Sequence, residues 1–192
     1  KVLPQPFAAA TLQFESRAAE AVPQLNALMG QPLPLTASYW ADGVLSLRLC
    51  GTEAGVKTAV ELLGGERMNE AASRSWWQTV REQARPEFDL NEGERLWRIS
   101  VPDTAPVADS DGLSSIEWGG GLRWYRTGAA AREMRALAQN AGGHATLFRG
   151  AAAVGETVFT PLPEALLAIN QRLKQSFDPS GIFNPGRLYP KL

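Results

Sequence analysis

The residues with the clearest chemical potential lie near the end of the chain, where Asn184 and Arg187 belong to a segment with two turns. Asp178-Pro-Ser-Gly181 follows a helical pattern, and Asn184-Pro-Gly186 comes directly before the arginine. Glycine reaches positive φ at low cost and proline fixes φ, so both turns are predicted to be rigid. Because termini usually fray, such a segment is expected to dock on something. A capped terminal helix with a rigid tail fits the same pattern.

Arginine and histidine side chains are predicted on one face of a sheet. Alternation along the predicted strands separates Arg98, Arg123 and His144 from apolar neighbours. Arginine binds carboxylates bidentately, and the ordinary pKa of histidine suits it to accept a proton. The pattern predicts a clamp for a substrate carboxylate, with Arg98, Arg123 and Arg187 as candidates, and His144 as the candidate catalytic proton acceptor. A solvated sheet face and a structural histidine explain the same pattern.

The composition limits the classes of function. The 192 residues suit one domain, and a net charge of −1 argues against a nucleic-acid partner. No apolar run reaches the roughly 18 residues of a membrane span. Cys50 is the only cysteine, which excludes an internal disulfide and fits a reducing compartment, and His144 is the only histidine. We therefore predict no metal site, and no Walker or Rossmann fingerprint is present.

The periodicity predicts an α+β fold with an antiparallel sheet and helices on one face. The first half has the β-α-β-β-α-β order of a ferredoxin-like unit, and the second half repeats the theme. We expect a single domain over residues 1–192, divisible into halves 1–72 and 73–192. The predicted strands are 11–14, 36–40, 44–49, 66–68, 96–101, 115–118, 122–126 and 144–148. The predicted helices are 16–30, 53–63, 73–85 with Ser73 as its cap, 130–139, and 163–177 with an apolar stripe that includes Leu166, Ile169, Leu173 and Phe177.

Three segments together resemble the family of FAD-binding subunits of glycolate oxidases. They are Gly120-Gly-Leu-Arg-Trp124, Gly143-His-Ala-Thr-Leu-Phe-Arg149 and Asp178-Pro…Asn184-Pro-Gly-Arg187. The last segment also resembles the C-terminal signature of FAD-linked oxidases of the vanillyl-alcohol-oxidase type. The chain is similar to the C-terminal half of such a subunit, and Lys1-Val-Leu-Pro4 is similar to the end of a flavin-binding domain. We therefore expect a fragment that lacks an N-terminal FAD-binding domain.

The resemblance implies a cap domain that closes over the isoalloxazine ring of an FAD held mainly by the missing domain. It places Asn184, Pro185 and Gly186 near the ring, with Arg187 close enough to assist. It implies an FAD-dependent oxidoreductase that acts on the CH–OH group of glycolate or another 2-hydroxyacid, and an inactive fragment. The implied partners are a second flavin subunit and an iron–sulfur subunit, in a cytoplasmic complex that is peripheral at the inner membrane.

One departure from related proteins keeps other interpretations open. Related catalytic subunits carry a His-x-Gly-Asp-Gly-Asn-type metal motif that this chain lacks. The chain could therefore be a non-catalytic scaffold subunit of the complex, or a stand-alone ferredoxin-like domain that binds a small ligand or dimerises. Arginines converging on a pocket would favour a substrate role, whereas a flat apolar patch with an exposed tryptophan would favour protein contact.

Overall fold

The computed structural model describes residues 5–108, 111–153, 155–190 and 192. Residues 1–4, interpreted from the sequence as the end of a flavin-binding domain, and residues 109–110 lie outside the described residues. The strands are β1 Ala8–Glu15, β2 Leu35–Ala41, β3 Val44–Gly51, β4 Glu66–Arg67, β5 Arg95–Ser100, β6 Leu113–Glu117, β7 Leu122–Thr127 and β8 His144–Arg149. The helices are α1 Ala18–Met29, α2 Glu53–Leu63, α3 Glu70–Arg81, α4 Ala131–Asn140 and α5 Glu164–Phe177, with short 3₁₀ turns at Pro86–Phe88 and Trp118–Gly120. Within the described ranges, no helix is both long enough and apolar enough to cross a membrane.

The strands form one antiparallel sheet in the order β4-β1-β3-β2-β6-β7-β5-β8. Strands β1 to β4 lie in the order of a ferredoxin-like unit. Strands β5 to β8 have the same order reversed, so the two units meet where β2 pairs with β6. Among the described residues, the strands of the two halves share two register pairs, Tyr39↔Glu117 and Trp40↔Ile116. In the second half, the described part of the β5–β6 connection is a loop where the first half has α1. The predicted α+β fold class is confirmed.

Helices α1, α2 and α4 cover one face of the sheet, and the main core lies beneath them. The strand residues buried on this face follow the predicted alternation: Leu12, Leu45, Leu47, Leu49, Trp97 and Ile99. Burying each of these side chains contributes roughly 1.5–3 kcal/mol. The alternation therefore fixes the register of the strands, because a shift by one residue would turn the apolar set toward the opposite face.

Helix α3 lies across the second face of the sheet, which we call the α3 face. Trp77 packs there with Tyr39, Leu96 and Trp124, and its indole Nε1 donates to Thr11 Oγ1 at 2.8 Å. This arrangement satisfies the polar end of a buried tryptophan. Part of the face that carries the predicted arginine and histidine side chains is therefore covered by a helix.

The start of α3 differs from the prediction. Asn69, not Ser73, caps the helix, since Asn69 Oδ1 accepts hydrogen bonds from the amides of Ala71 at 3.0 Å and Ala72 at 3.4 Å. Asparagine is among the preferred capping residues. Ser73 lies inside the helix, where its hydroxyl is 2.6 Å from Thr11 Oγ1. The predicted cap was wrong because Ser73 contributes a tertiary hydrogen bond to β1.

Helix α5 contains no buried residue, so its apolar stripe adds nothing to the core described above. Leu166, Ile169, Leu173 and Phe177 are between 48% and 80% exposed. Their spacing of three and four residues puts them on one side of the helix. The helix therefore presents a continuous apolar surface, which is a feature of surfaces that contact other proteins.

Candidate functional site

Arg98 lies half-buried on the α3 face, with its guanidinium stacked on Trp118. The distance from Arg98 Cζ to the centroid of the Trp118 ring is 5.1 Å. The register places Arg98 beside Trp124 on β7 and Thr146 on β8. No ion pair among the described residues includes Arg98, and the nearby negative charge comes from Glu117. A positioned guanidinium that lacks a bound carboxylate can receive an anionic ligand.

Trp118 adopts a backbone conformation that bulky residues rarely occupy. Its φ is +52°, and its side chain is 65% exposed. Gly119 and Gly120 follow, with φ of +68° and +107°, and the Gly119 amide donates to Ser38 Oγ at 2.9 Å. A Cβ on Gly119 would collide with the sulfur of Met29. Because backbone strain at an exposed aromatic persists only where the surroundings enforce it, Trp118 is a candidate functional residue.

Glu117 places a partly buried carboxyl beside this tryptophan. Its Oε1 accepts a hydrogen bond of 2.6 Å from Trp124 Nε1. Burial raises the pKa of Glu117, while the Trp124 hydrogen bond and the charge of Arg98 oppose the rise. Neither Glu117 nor Trp118 stands out in the sequence, because the three glycines that follow indicate only a hairpin. The bulky residue directly before those glycines is the one available signal.

His144 begins edge strand β8 on the same face as Arg98. The register pairs His144 with Ser100 and Thr146 with Arg98, so His144 and Arg98 are diagonal neighbours on adjacent strands. Such neighbours are separated by roughly 7–8 Å between their backbones. The imidazole is exposed. Arg98 and His144 are therefore two predicted site residues that the fold brings together.

Arg123 lies on the opposite face of the sheet and is 2% exposed. Its Nε donates to the carbonyl of Gly120 at 3.2 Å, its Nη1 to Pro106 at 2.7 Å, and its Nη2 to Ala105. Burial lowers the pKa of this guanidinium. The predicted grouping of Arg123 with Arg98 is corrected accordingly, because Arg123 holds the loop that covers the other face and has no access to a ligand beside Arg98.

Asp178 organises the first turn of the C-terminal tail. The carboxylate accepts hydrogen bonds from Lys174 Nζ at 2.7 Å, the Phe183 amide at 3.0 Å and the Ile182 amide at 3.1 Å. These hydrogen bonds, the one from Lys174 first, lower the pKa of Asp178. An aspartate in this position fixes the path of the chain as it leaves α5.

The second turn carries the predicted cofactor contacts in exposed positions. These residues are Asn184, Pro185, Gly186 and Arg187. The φ of Asn184 is +47°, and its carbonyl accepts from the Arg187 amide at 3.2 Å. Further along, Tyr189 Oη donates to the carbonyl of Thr160 at 3.3 Å, and Thr160 in turn contacts β8 through Ala145. The tail therefore lies beside edge strand β8, the strand that carries His144.

Fold and site together define an α+β domain of two ferredoxin-like halves, with a cationic, partly open sheet face and an exposed turn at its end. All 192 residues align with the glycolate oxidase subunit GlcE of Escherichia coli (strain K12) at 43% identity. The predicted resemblance to a glycolate oxidase subunit is therefore confirmed. The chain spans 52% of the length of that relative. No family model matches the chain, and no solved structure matches it.

Proposed function

We propose that the chain is the cap part of a flavin-dependent glycolate oxidase subunit, which covers FAD and helps oxidise glycolate or a similar 2-hydroxyacid. The observation that carries this proposal is 43% identity to GlcE over every residue of the chain. Because the relative is nearly twice as long, we assign most of the FAD contacts to a part of the protein beyond these residues. A second flavin subunit and an iron–sulfur subunit complete the proposed complex.

The exposed turn fits one edge of a flavin ring. The side-chain amide of Asn184 and the guanidinium of Arg187 are exposed hydrogen-bond donors. The carbonyl oxygen and nitrogen atoms of a flavin edge can accept hydrogen bonds from them. No glycine-rich strand-to-helix turn that could cradle a pyrophosphate occurs among the described elements. Pro185 and Gly186 hold the two donors in place by fixing the turn. The described residues would therefore contact the ring and leave the rest of the cofactor to another domain.

Arg98 and His144 fit the two ends of a small hydroxyacid. Arg98 would hold the carboxylate, and His144 would take the hydroxyl proton from the diagonal position on β8. A bound flavin supplies the acceptor for the hydride that leaves the α-carbon. Trp118, stacked on Arg98, would keep the guanidinium in place and exclude water on that side.

Substitution of the site residues in the flavin-bound protein tests the proposal. We expect Arg98→Met to raise the KM for glycolate about tenfold or more, since one charge-assisted contact is lost, with flavin content unchanged. We expect His144→Gln to lower kcat, and Asn184→Ala and Arg187→Ala to shift the flavin absorbance spectrum. Arg132→Met is the control, because that arginine lies on α4 and its side chain is 87% exposed. Unchanged flavin spectra and turnover in all four variants would contradict the proposal.

A scaffold subunit is the second candidate, and the exposed apolar side of α5 favours it. In that case the chain would hold the complex together without contacting substrate. Leu173→Gln and Phe177→Gln on α5 would then reduce assembly of the complex, measured by size-exclusion chromatography, while the Arg98 and His144 variants would keep full turnover. A stand-alone binding domain would show neither effect.

A further inference from the structure

We propose that a second site, between α3 and the sheet, binds an organic anion with a flat apolar body. A cavity of about 880 Å³ opens there, which is within the size range of ligand sites. Its floor comes from β1, β2 and β3, one wall from α3, and the other wall from the end of α1 and from Trp118. We call it the Arg48 cavity.

Arg48 is the anchor of this cavity. The residue as a whole is half-buried, its Cζ is 5.2 Å from the centroid of the Trp77 ring, and its Nε donates to Thr36 Oγ1 at 3.2 Å. The two terminal nitrogens have no hydrogen-bond partner among the described residues, and no carboxylate there forms an ion pair with Arg48. Stacking and the Nε bond fix the plane of the guanidinium. Its terminal fork is thus ready for a carboxylate or a phosphate.

The other charges around the cavity favour an anion. Arg74 and Arg81 line the same wall, seven residues apart on α3. Their partners, Glu70 and Glu82, form surface pairs in which every side chain is more than half exposed, and such pairs are weak and easily exchanged. Glu117 is the acidic residue of the described lining. Burial raises its pKa, and the Trp124 hydrogen bond and the charge of Arg98 oppose the rise. Three arginines and one carboxyl therefore line the cavity, so positive charge predominates in its described lining.

The remaining lining fits an apolar or aromatic body. Trp77 and the exposed Trp118 present ring surfaces, and Leu33, Leu35 and Met29 supply aliphatic surface. A two-carbon hydroxyacid would leave most of this volume empty. Strands β3 and β5 are four strand spacings apart, so the backbones at Arg48 and Arg98 are separated by roughly 19 Å across the sheet. The Arg48 cavity therefore has a different anchor from the position proposed for the oxidised substrate, although Trp118 borders both. The inference does not depend on that proposal.

Isothermal titration calorimetry with small aromatic probes tests the inference on the purified protein. The probes are 1-naphthoate and 1-naphthyl phosphate, which carry the two head groups on the same ring system, and neutral 1-naphthalenemethanol is the matched control. We expect at least one of the two anions to bind, with an affinity that falls as salt is added, and the neutral alcohol to bind at least tenfold more weakly. The tighter of the two anions identifies the head group.

Three variants assign the binding to Arg48. Arg48→Met keeps the aliphatic stem and should weaken anion binding about tenfold or more, whereas Arg132→Met should leave it unchanged. Arg48→Lys keeps the charge without the fork and should give an intermediate affinity. This variant also keeps the test valid if Arg48→Met does not fold, which circular dichroism would show. Wild-type affinity in Arg48→Lys and Arg48→Met, or no anion binding to the wild type at millimolar probe, would overturn the inference.

Discussion

Arg123 allows the sharpest test of the structure, because it looks like a ligand-binding arginine in the sequence and is a buried structural residue in the fold. We consider Arg123→Met, which keeps the apolar stem and most of the volume but removes the guanidinium. The substitution deletes hydrogen bonds to the carbonyls of Gly120, Pro106 and Ala105. The carbonyls of Ala105 and Pro106 belong to a loop, and that of Gly120 ends a short 3₁₀ turn, so no α-helix supplies an alternative donor.

The expected cost follows from these three bonds. Hydrogen bonds that involve a charged group contribute about 1.5–3 kcal/mol each, so the three together would contribute about 6 kcal/mol. Part of this loss is offset, because the variant no longer buries a charge, and the desolvation of a charge costs several kcal/mol. We therefore expect Arg123→Met to lower the free energy of unfolding by about 3 kcal/mol. For a chain of this size, that corresponds to a decrease in Tm of about 6–12 °C.

Urea denaturation followed by far-ultraviolet circular dichroism measures this change. Arg98→Met is the matched control, since Arg98 stacks on Trp118 without an ion pair among the described residues and should cost about 1 kcal/mol or less. The reasoning is refuted if Arg123→Met unfolds within about 0.5 kcal/mol of the wild type, the limit typical of neutral surface substitutions. A larger loss in Arg98→Met than in Arg123→Met would refute it equally.

Three further outcomes are expected. Glu117→Gln should stabilise the protein at neutral pH and have no effect in acid. Because the pKa of Glu117 is raised in the folded state, the ionised carboxylate lowers stability as the pH rises through that pKa. Thermal unfolding at several pH values measures this difference. Asp178→Asn should speed hydrogen exchange at the amides of Ile182 and Phe183, because these amides donate to the Asp178 carboxylate. In the wild type, the same two amides should lose their protection from exchange as the pH falls through the lowered pKa of Asp178; NMR measures both effects. In urea titrations, Leu173→Gln should change the free energy of unfolding by less than about 0.5 kcal/mol, whereas Leu47→Ala, at a fully buried position, should cost about 2–5 kcal/mol.

The alternation of apolar residues in β3 and β5 was enough to predict which side chains form the core. Leu45, Leu47 and Leu49 on one strand, and Trp97 and Ile99 on the other, all lie under the helices. This success has a physical reason, since the period of two in a strand leaves each residue only one of two faces. The Asp42-Gly43 turn was equally predictable, because both residues have positive φ in the hairpin.

Arg123 was not predictable from its neighbours in sequence. In the first half of the fold α1 lies between β1 and β2 in the chain, whereas the described part of the connection between β5 and β6 is a loop. The carbonyls of that loop at positions 105 and 106 need donors, and Arg123 supplies them. The need arises from a segment about 17 residues away, so the strand itself contains no sign of it.

The apolar stripe of α5 shows a different limit. Its period of three to four residues indicates an amphipathic helix, and that is correct. The period does not say which surface receives the stripe. Leu166 and Phe177 are exposed. A residue pattern that is typical of a core helix therefore belongs, in this protein, to a helix that lies outside the core.

The narrow join between the two halves of the sheet has a mechanical consequence. Within the sheet, the halves meet through the two register pairs of β2 and β6, and buried side-chain clusters on both faces also cross this line. The Arg48 cavity spans the same line, with Ser38 on one side and Trp118 on the other. A rotation of one half against the other would change the width of the cavity, because its lining comes from both halves. A molecule bound there would therefore contact both halves of the sheet, and its affinity would depend on how closely the two halves approach each other.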